Sequence, residues 1–228
     1  MIGGAIGTVV VGIIYAHYLQ RTYGWTHGYA WEIALLRDVH IHLPPFFDAL
    51  LLVIPWFGTN ITILPAVAIA SYVLTKRNRP DLRTVLIVAA VGNYVIAFVL
   101  KYALQRPRPA VVTPRGEYTG PSYPSGHAML ATSVLFVVAY LLRRERDWRW
   151  PYTVVFLFGL VTVYSRLYLG VHWPTDVIAG AVLGVLWLTV MLRAMDAHRE
   201  ELWNFGRRVR AGEIPVSTEN QAGTRASS

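Results

Sequence analysis

The sequence predicts an all-α fold: a polytopic membrane bundle of six transmembrane helices, with an interfacial helix near 44–58. Three observations carry that expectation. The 228-residue chain is 54% hydrophobic, with a mean hydropathy of +0.40. Only 15% of its residues are charged, against about 25% in ordinary soluble domains. Its apolar residues also gather into separate runs long enough to cross a bilayer, which takes about 17–25 residues. A soluble domain of this size needs one core and no such series of runs.

The runs fall at 2–20, 59–75, 83–103, 125–143, 152–169 and 175–195. The first, "MIGGAIGTVVVGIIYAHYLQ", lacks the basic start and the A-x-A site of a cleaved signal peptide, so it reads as a retained helix. The segment "PPFFDALLLVIPWFG" (44–58) is short, carries Asp48 and is broken by Pro55. It reads as an interfacial or re-entrant helix leading into the second span, with a seventh span as the competing reading.

Charge orients the bundle. The net charge is +8, but the basic residues sit in short bursts between apolar runs, which does not suit a nucleic-acid partner. "KRNRPDLR" (76–83) and "RRERDWRW" (143–150) each hold four basic residues, and the tail adds Arg199, Arg207, Arg208 and Arg210. By the positive-inside rule these connections are cytoplasmic. Both termini then lie inside, and the loops after spans one, three and five face outward. The expected organisation is a membrane domain over 1–195 and a basic, then disordered, cytoplasmic tail over 196–228.

The chain has no cysteine, which excludes disulfides, thiolate metal sites and cysteine nucleophiles. Its chemistry-bearing residues collect in the outward loops instead: "KYALQRPRP" (101–109), "PSYPSGH" (121–127) and "SRLYLGVHWPTD" (165–176). Lys101, Arg106, Arg108 and Arg166 put four cations at one face. Such a cluster suits phosphate, because the guanidinium fork matches its oxygens. Snorkelling at a helix end is the plain alternative for Lys101 and Arg106. Pro107 and Pro109 are expected to end the third span and aim Arg108.

Pro124 and Ser125 resemble a helix start with a capping hydroxyl, and Gly126 lets an anion approach the backbone. Simple capping is compatible with that role. His127 and His172 share the outward face, whereas His17, His27, His40 and His42 read as structural or incidental. Asp176, four residues after His172, can orient the imidazole and raise its nucleophilicity. A carboxylate merely completing a helix N-terminus is the alternative. Two histidines and an aspartate could also hold zinc, but four cations would repel it. A serine hydrolase built on Ser125, His172 and Asp176 lacks a G-x-S-x-G elbow and has no use for so many cations.

The three segments together resemble the signature of the type 2 phosphatidic acid phosphatase family, the membrane branch of the superfamily that includes the vanadium haloperoxidases. K-x6-R-P is matched by Lys101, Arg108 and Pro109; P-S-G-H by Pro124, Ser125, Gly126 and His127; S-R-x5-H-x3-D by Ser165, Arg166, His172 and Asp176. The ordered trio is specific where each motif alone is modest. The resemblance implies a phosphatase that needs no metal or other cofactor. His172 would take the phosphoryl group, Asp176 would orient it, and His127 would protonate the leaving oxygen. Lys101, Arg108 and Arg166 would bind phosphate with Ser125 and Gly126, while Ser165, Pro124 and Arg106 would support them.

The expected function is therefore a lipid phosphatase at the outer face of the cytoplasmic membrane. Undecaprenyl diphosphate, phosphatidylglycerophosphate and phosphatidic acid are the candidate substrates. A phosphotransferase using the same histidine, and a non-catalytic lipid-binding or transport protein on the same fold, are the alternatives. Haloperoxidase activity does not suit a chain with six apolar runs.

Overall fold

A computed structural model describes residues 1–210 apart from Tyr23, His42 and Glu117; the side chains of Asn60, Arg144, Glu145 and 198–210 are outside the description. The expected disordered tail and His42 therefore lie outside the described residues. Among the described residues every regular element is a helix. The helices are α1 (Ile2–Arg21), α2 (Ala30–Val39), α3 (Pro45–Val53), a 3-10 turn (Ile54–Gly58), α4 (Asn60–Lys76), α5 (Pro80–Leu104), α6 (Gly126–Thr132), α7 (Val134–Arg146), α8 (Trp150–Tyr168) and α9 (Pro174–Arg210).

Five helical stretches are long and apolar enough to cross a membrane, and a sixth arises if α3, the 3-10 turn and α4 count as one broken span bent by 52°. Pro55 sits in the 3-10 turn, where a proline removes a backbone donor and breaks the helical ladder. Large side chains on the flanks of the bundle stay exposed, among them Ile6, Ile14, Tyr72, Val91, Phe98 and Leu157. With no water to compete for backbone groups, an apolar run of this length settles as a helix.

Four boundaries differ from the sequence expectation. The third span ends at Leu104, because Gln105 takes a left-handed conformation (φ 50°, ψ 45°); Pro107 and Pro109 follow the stop and do not make it. The fourth run is interrupted at Ser133, whose hydroxyl donates to Met129 O (2.7 Å) and Asn93 Oδ1 (2.9 Å). The last helix continues to Arg210, well beyond 195. A helix over Ala30–Val39, absent from the expected six runs, fills the connection after α1. It is only 10 residues long, too short to register as a spanning run.

The chain divides after Met191. In the first unit, α5 packs against α1, α4, α6 and α7. Its face of Leu82, Leu86, Ala89, Ile96 and Leu100 joins Val137, Leu141, Leu183 and Trp187 in one core cluster. The Trp187 indole donates to Ala89 O (3.0 Å), satisfying its polar edge inside that core. The second unit begins at Leu192, and its helical backbone is described through Arg210.

Two glycines on α9 set the distance that matters for the site. A Cβ at Gly180 would overlap Ser125 O, and one at Gly184 would come within 2.5 Å of Met129 O. Small residues four apart let helix backbones touch. Here they bring α6, with Ser125 and His127, directly onto the start of α9, with Asp176. Thr132 Oγ1 closes the contact by donating to Ala181 O (3.1 Å).

Candidate active site

The three loop segments are tied to one another by backbone hydrogen bonds. Ser122 N donates to Arg106 O (2.8 Å), joining the first segment to the second. Ser125 N donates to Asp176 O (3.0 Å), joining the second to the third. Arg108 Nη1 donates to Val171 O (2.7 Å), which closes the ring from the first segment to the third. The third segment turns at Gly170, whose φ of +67° lies in the left-handed region that favours glycine. That reversal returns His172 toward the bundle after α8.

Lys101 stands in the last turn of α5, and its ammonium donates to Pro121 O (2.8 Å) and Ser122 O (3.3 Å). Arg108 is half-buried; Nε donates to Gly120 O (3.1 Å) and Nη2 to Thr119 O (3.3 Å). The Tyr118 ring lies near two arginines, 5.7 Å from the Arg108 guanidinium and 5.8 Å from that of Arg166. Arg166 is 1% exposed in the last turn of α8, yet its Nε and Nη2 have no hydrogen-bond partner. Unpaired guanidinium donors are costly when buried, so this side chain is built to receive an acceptor.

Ser125 makes the same point. It is the N-cap residue of α6, but its hydroxyl makes no capping bond and is buried without a partner. The expected capping role is not taken up. Beside it, a Cβ on Gly126 would meet nothing within 4 Å. The backbone at Gly126 thus borders open space, while the serine hydroxyl next to it is buried. Pro124, in cis linkage to Tyr123, precedes them, and the Tyr123 hydroxyl anchors the segment by donating to Gly12 O (2.8 Å).

His172 lies in the loop before α9, 4% exposed. Burial, reinforced by the charges of Lys101, Arg108 and Arg166, holds its imidazole well below the ordinary histidine range. It is therefore neutral, the form that carries a free nitrogen lone pair. Burial likewise lowers the Arg108 guanidinium from its usual value, with Asp176 opposing. His172 Nδ1 stands 3.6 Å from Asp176 Oδ2 and has no hydrogen-bond partner. That separation is longer than a hydrogen bond, and such contacts commonly tighten only when substrate binds.

Asp176 is itself fully buried and firmly held. Its Oδ2 accepts from Trp173 N (2.9 Å), and its Oδ1 accepts from Arg106 Nη1 (2.6 Å). Arg106 is accordingly not a phosphate ligand in this arrangement. Its guanidinium is 0% exposed, and it also donates to Thr175 Oγ1 (2.7 Å), Trp25 O (3.0 Å) and Gly24 O. The rings of Trp25 and Trp173 each lie 5.5 Å from it. Behind Arg106 stands Glu32 of α2, a buried carboxylate that the sequence reading did not single out. Ser165 is buried too, its hydroxyl returned to Thr162 O (2.7 Å) within α8.

His127 comes within electrostatic reach of Arg166, His172 and Lys101. Its Nε2 lies 3.1 Å from Pro55 O of the 3-10 turn. A carbonyl can only accept, so this nitrogen carries the proton and leaves Nδ1 for further chemistry. The broken-span segment is fastened to the same region by Asp48, whose Oδ1 accepts from Arg115 Nη1 (3.0 Å) and the Tyr168 hydroxyl (2.7 Å). His40 joins this clasp through Nδ1, 3.0 Å from Tyr168 O. Among the described residues no group of three or more His, Asp or Glu side chains is placed to hold a metal ion.

The arrangement is a cationic recess, with one neutral imidazole backed by a carboxylate and a second imidazole nearby. It can bind a tetrahedral oxyanion and offer it both a nucleophile and a proton donor.

Comparison with known proteins agrees with that chemistry. The PAP2 superfamily model matches residues 82–200, more than half of the chain, so the chain belongs to this superfamily. An undecaprenyl-diphosphatase of Sulfolobus acidocaldarius is 28% identical over 166 residues, covering 71% of this chain and 77% of that protein. Phosphatidylglycerophosphatase B of Bacillus subtilis is 35% identical over 103 residues, covering 43% of this chain and 50% of that protein. A crystal structure of a Bacillus subtilis transmembrane PAP2-type phosphatidylglycerolphosphate phosphatase superposes with a TM-score of 0.72 at 23% identity, over 85% of this chain and 96% of that one. Aquifex aeolicus LpxE superposes with a TM-score of 0.60 at 24% identity, over 72% and 96% of the two chains. At those identities the structural likeness shows the fold: a multi-pass membrane helix bundle.

Proposed function

We propose that this member of the PAP2 superfamily is a membrane lipid phosphatase that hydrolyses a lipid phosphomonoester or diphosphate through a phosphohistidine. The observation that carries the reading is the set of buried, unpartnered donors, Ser125 Oγ with Arg166 Nε and Nη2, in the recess that holds neutral His172. A phosphoryl group supplies the acceptors they lack, and charge on its oxygens grows toward the transition state.

In the first half-reaction His172 Nε2 attacks phosphorus and the bond from phosphorus to the leaving oxygen breaks. His127 must enter this step doubly protonated: with its Nε2–H held by Pro55 O, it gives that oxygen its Nδ1 proton and is left neutral. Asp176 faces Nδ1 of His172 and offsets the positive charge that develops on the ring. In the second half-reaction water attacks phosphorus, His127 takes its proton, and the P–N bond breaks to release phosphate and restore His172. Lys101 and Arg108 act largely through the loop they hold, since most of their bonds go to backbone carbonyls.

Undecaprenyl diphosphate and phosphatidylglycerophosphate, the substrates in the relatives' names, join phosphatidic acid as the candidates. A phosphate-release panel over these three lipids in detergent, with EDTA present, tests the assignment. Release from at least one is expected; none from any would end it. The site opens to the outer face, with both termini cytoplasmic. Because the chain has no native cysteine, single cysteines report on this cleanly. A membrane-impermeant maleimide on intact cells should label Thr113→Cys and spare Asn78→Cys; the opposite pattern inverts the topology.

A further inference from the structure

Glu32 and Asp176 share one arginine in a fully buried cluster. Arg106 Nη2 lies 3.8 Å from Glu32 Oε2, while its Nη1 donates to Asp176 Oδ1 at 2.6 Å. Thr175 completes the link: its backbone N (3.0 Å) and its hydroxyl (2.6 Å) both donate to Glu32 Oε1, while its Oγ accepts from Arg106. Glu32 Oε2 also accepts from Tyr29 N (2.9 Å) at the start of α2. Every side chain of the three ionic groups is 0% exposed.

A structural ion pair needs one carboxylate for one guanidinium. The second carboxylate leaves the cluster with a net negative charge away from water, which is unfavourable by itself. Asp176 links the cluster to His172: its Oδ1 accepts from Arg106 Nη1, and its Oδ2 stands 3.6 Å from His172 Nδ1. On the proposed reading this is the ring that becomes positively charged when it takes a phosphoryl group. We infer that Glu32 is a positioning residue for the phosphoryl-transfer step: through Arg106 and Thr175 it fixes the Asp176 carboxylate and supplies the charge that Arg106 would otherwise neutralise. This inference rests on the proposed phosphohistidine reading and extends the site by a helix outside the three motifs.

Other charges also face His172, and they set the sign of the test. Lys101 on α5, Arg108 in the following loop, His127 on α6 and Arg166 on α8 surround it, with Asp176 on α9 as the carboxylate opposing them. Tyr15 of α1 and Tyr29 lie near Glu32. In this cationic setting, removing the Glu32 charge makes His172 harder to protonate.

The experiment compares wild type, Glu32→Gln, Thr175→Val and Thr175→Ser in detergent, with phosphate release measured across pH on whichever panel lipid the wild type cleaves. Glu32→Gln is expected to lower kcat about 10-fold or more, as loss of an outer partner of a reacting group commonly does. It should leave KM within about two-fold, because Glu32 touches no substrate. The acid limb of the kcat profile should move to lower pH, a shift that simple loosening of the fold does not produce. Thr175→Val should lower kcat and Thr175→Ser restore it. Unchanged kcat and an unmoved acid limb in Glu32→Gln overturn the inference. If Glu32→Gln does not fold, the isosteric Thr175→Val decides: a wild-type kcat overturns the inference, and a loss rescued by Thr175→Ser supports it. A wild type that releases no phosphate from any panel lipid overturns the phosphatase reading itself, a separate result from an active wild type with an indifferent Glu32→Gln.

Discussion

Arg106 and Arg108 are two residues apart in one motif, with Pro107 between them, and they do opposite things. Arg106 is sealed between Trp25 and Trp173 and bonded to Asp176, Thr175 and two backbone carbonyls. Arg108 reaches to the other side, holding the loop carbonyls of Thr119, Gly120 and Val171 around the recess. The two sides of the His172–Asp176 pair differ in the same way. Behind Asp176 the donors are engaged; in front of His172, Ser125 and Arg166 keep buried donors unpaired. On the proposed reading the satisfied side sets geometry and the unsatisfied side receives the phosphoryl oxygens.

Breaking the unsatisfied side should cost the most activity. Arg166→Ala removes a buried guanidinium with two unpartnered nitrogens, and on the proposed phosphate-binding role a fall of about 10²–10³-fold in kcat is expected from steady-state phosphate release. Arg166→Lys should recover only part of it, since an ammonium does not reproduce the fork. On the satisfied side the same kind of change should appear as lost stability. Arg106→Met strands two buried carboxylates, and thermal unfolding in detergent should show a loss of about 3–5 kcal/mol. An Arg106→Met protein as stable as wild type but inactive would erase the distinction between the two sides.

Gly126→Ala sharpens the comparison from the front. The added methyl meets no protein atom within 4 Å, so stability should hold while KM for the lipid phosphate rises several-fold. The smallest effect is in pH. His172 is held below its ordinary value of about 6.5 by burial and three cations. Below that pH the unfolded chain binds a proton that the folded chain refuses, so His172 contributes stability above about 6.5 that fades as pH falls. The wild-type denaturation midpoint should therefore fall relative to that of His172→Gln on acidification from about pH 7 to 5.

The make-up of the candidate site was legible because its chemistry was written in ordered residue types. Lys101, Arg108, Ser125, Gly126, His127, Arg166, His172 and Asp176 are read from three short segments, and the structure gathers those segments into one recess. The role of Arg106 was not legible. Either arginine of "RPRP" could face phosphate, and only the left-handed stop at Gln105 and the indoles of Trp25 and Trp173 decide which one turns inward. Glu32 was hidden for another reason. Its helix is too short for a span, and apart from Tyr29 N its partners lie more than 70 residues away in the chain. The signal was present in one form: a single carboxylate amid the otherwise uncharged "YAWEIALL". The break of the fourth run at Ser133 left no mark in hydropathy, since one serine in an apolar stretch does not lower it enough.

The central claim is that His172 carries the phosphoryl group. Enzyme turning over a lipid labelled with ³²P in the transferred phosphate, quenched in alkali where phosphohistidine survives, tests it directly. The label should appear on the peptide containing His172, be absent from His172→Ala, and decay on acidification together with phosphate release. Label on another residue, or phosphate release by His172→Ala at the wild-type rate, would contradict the account.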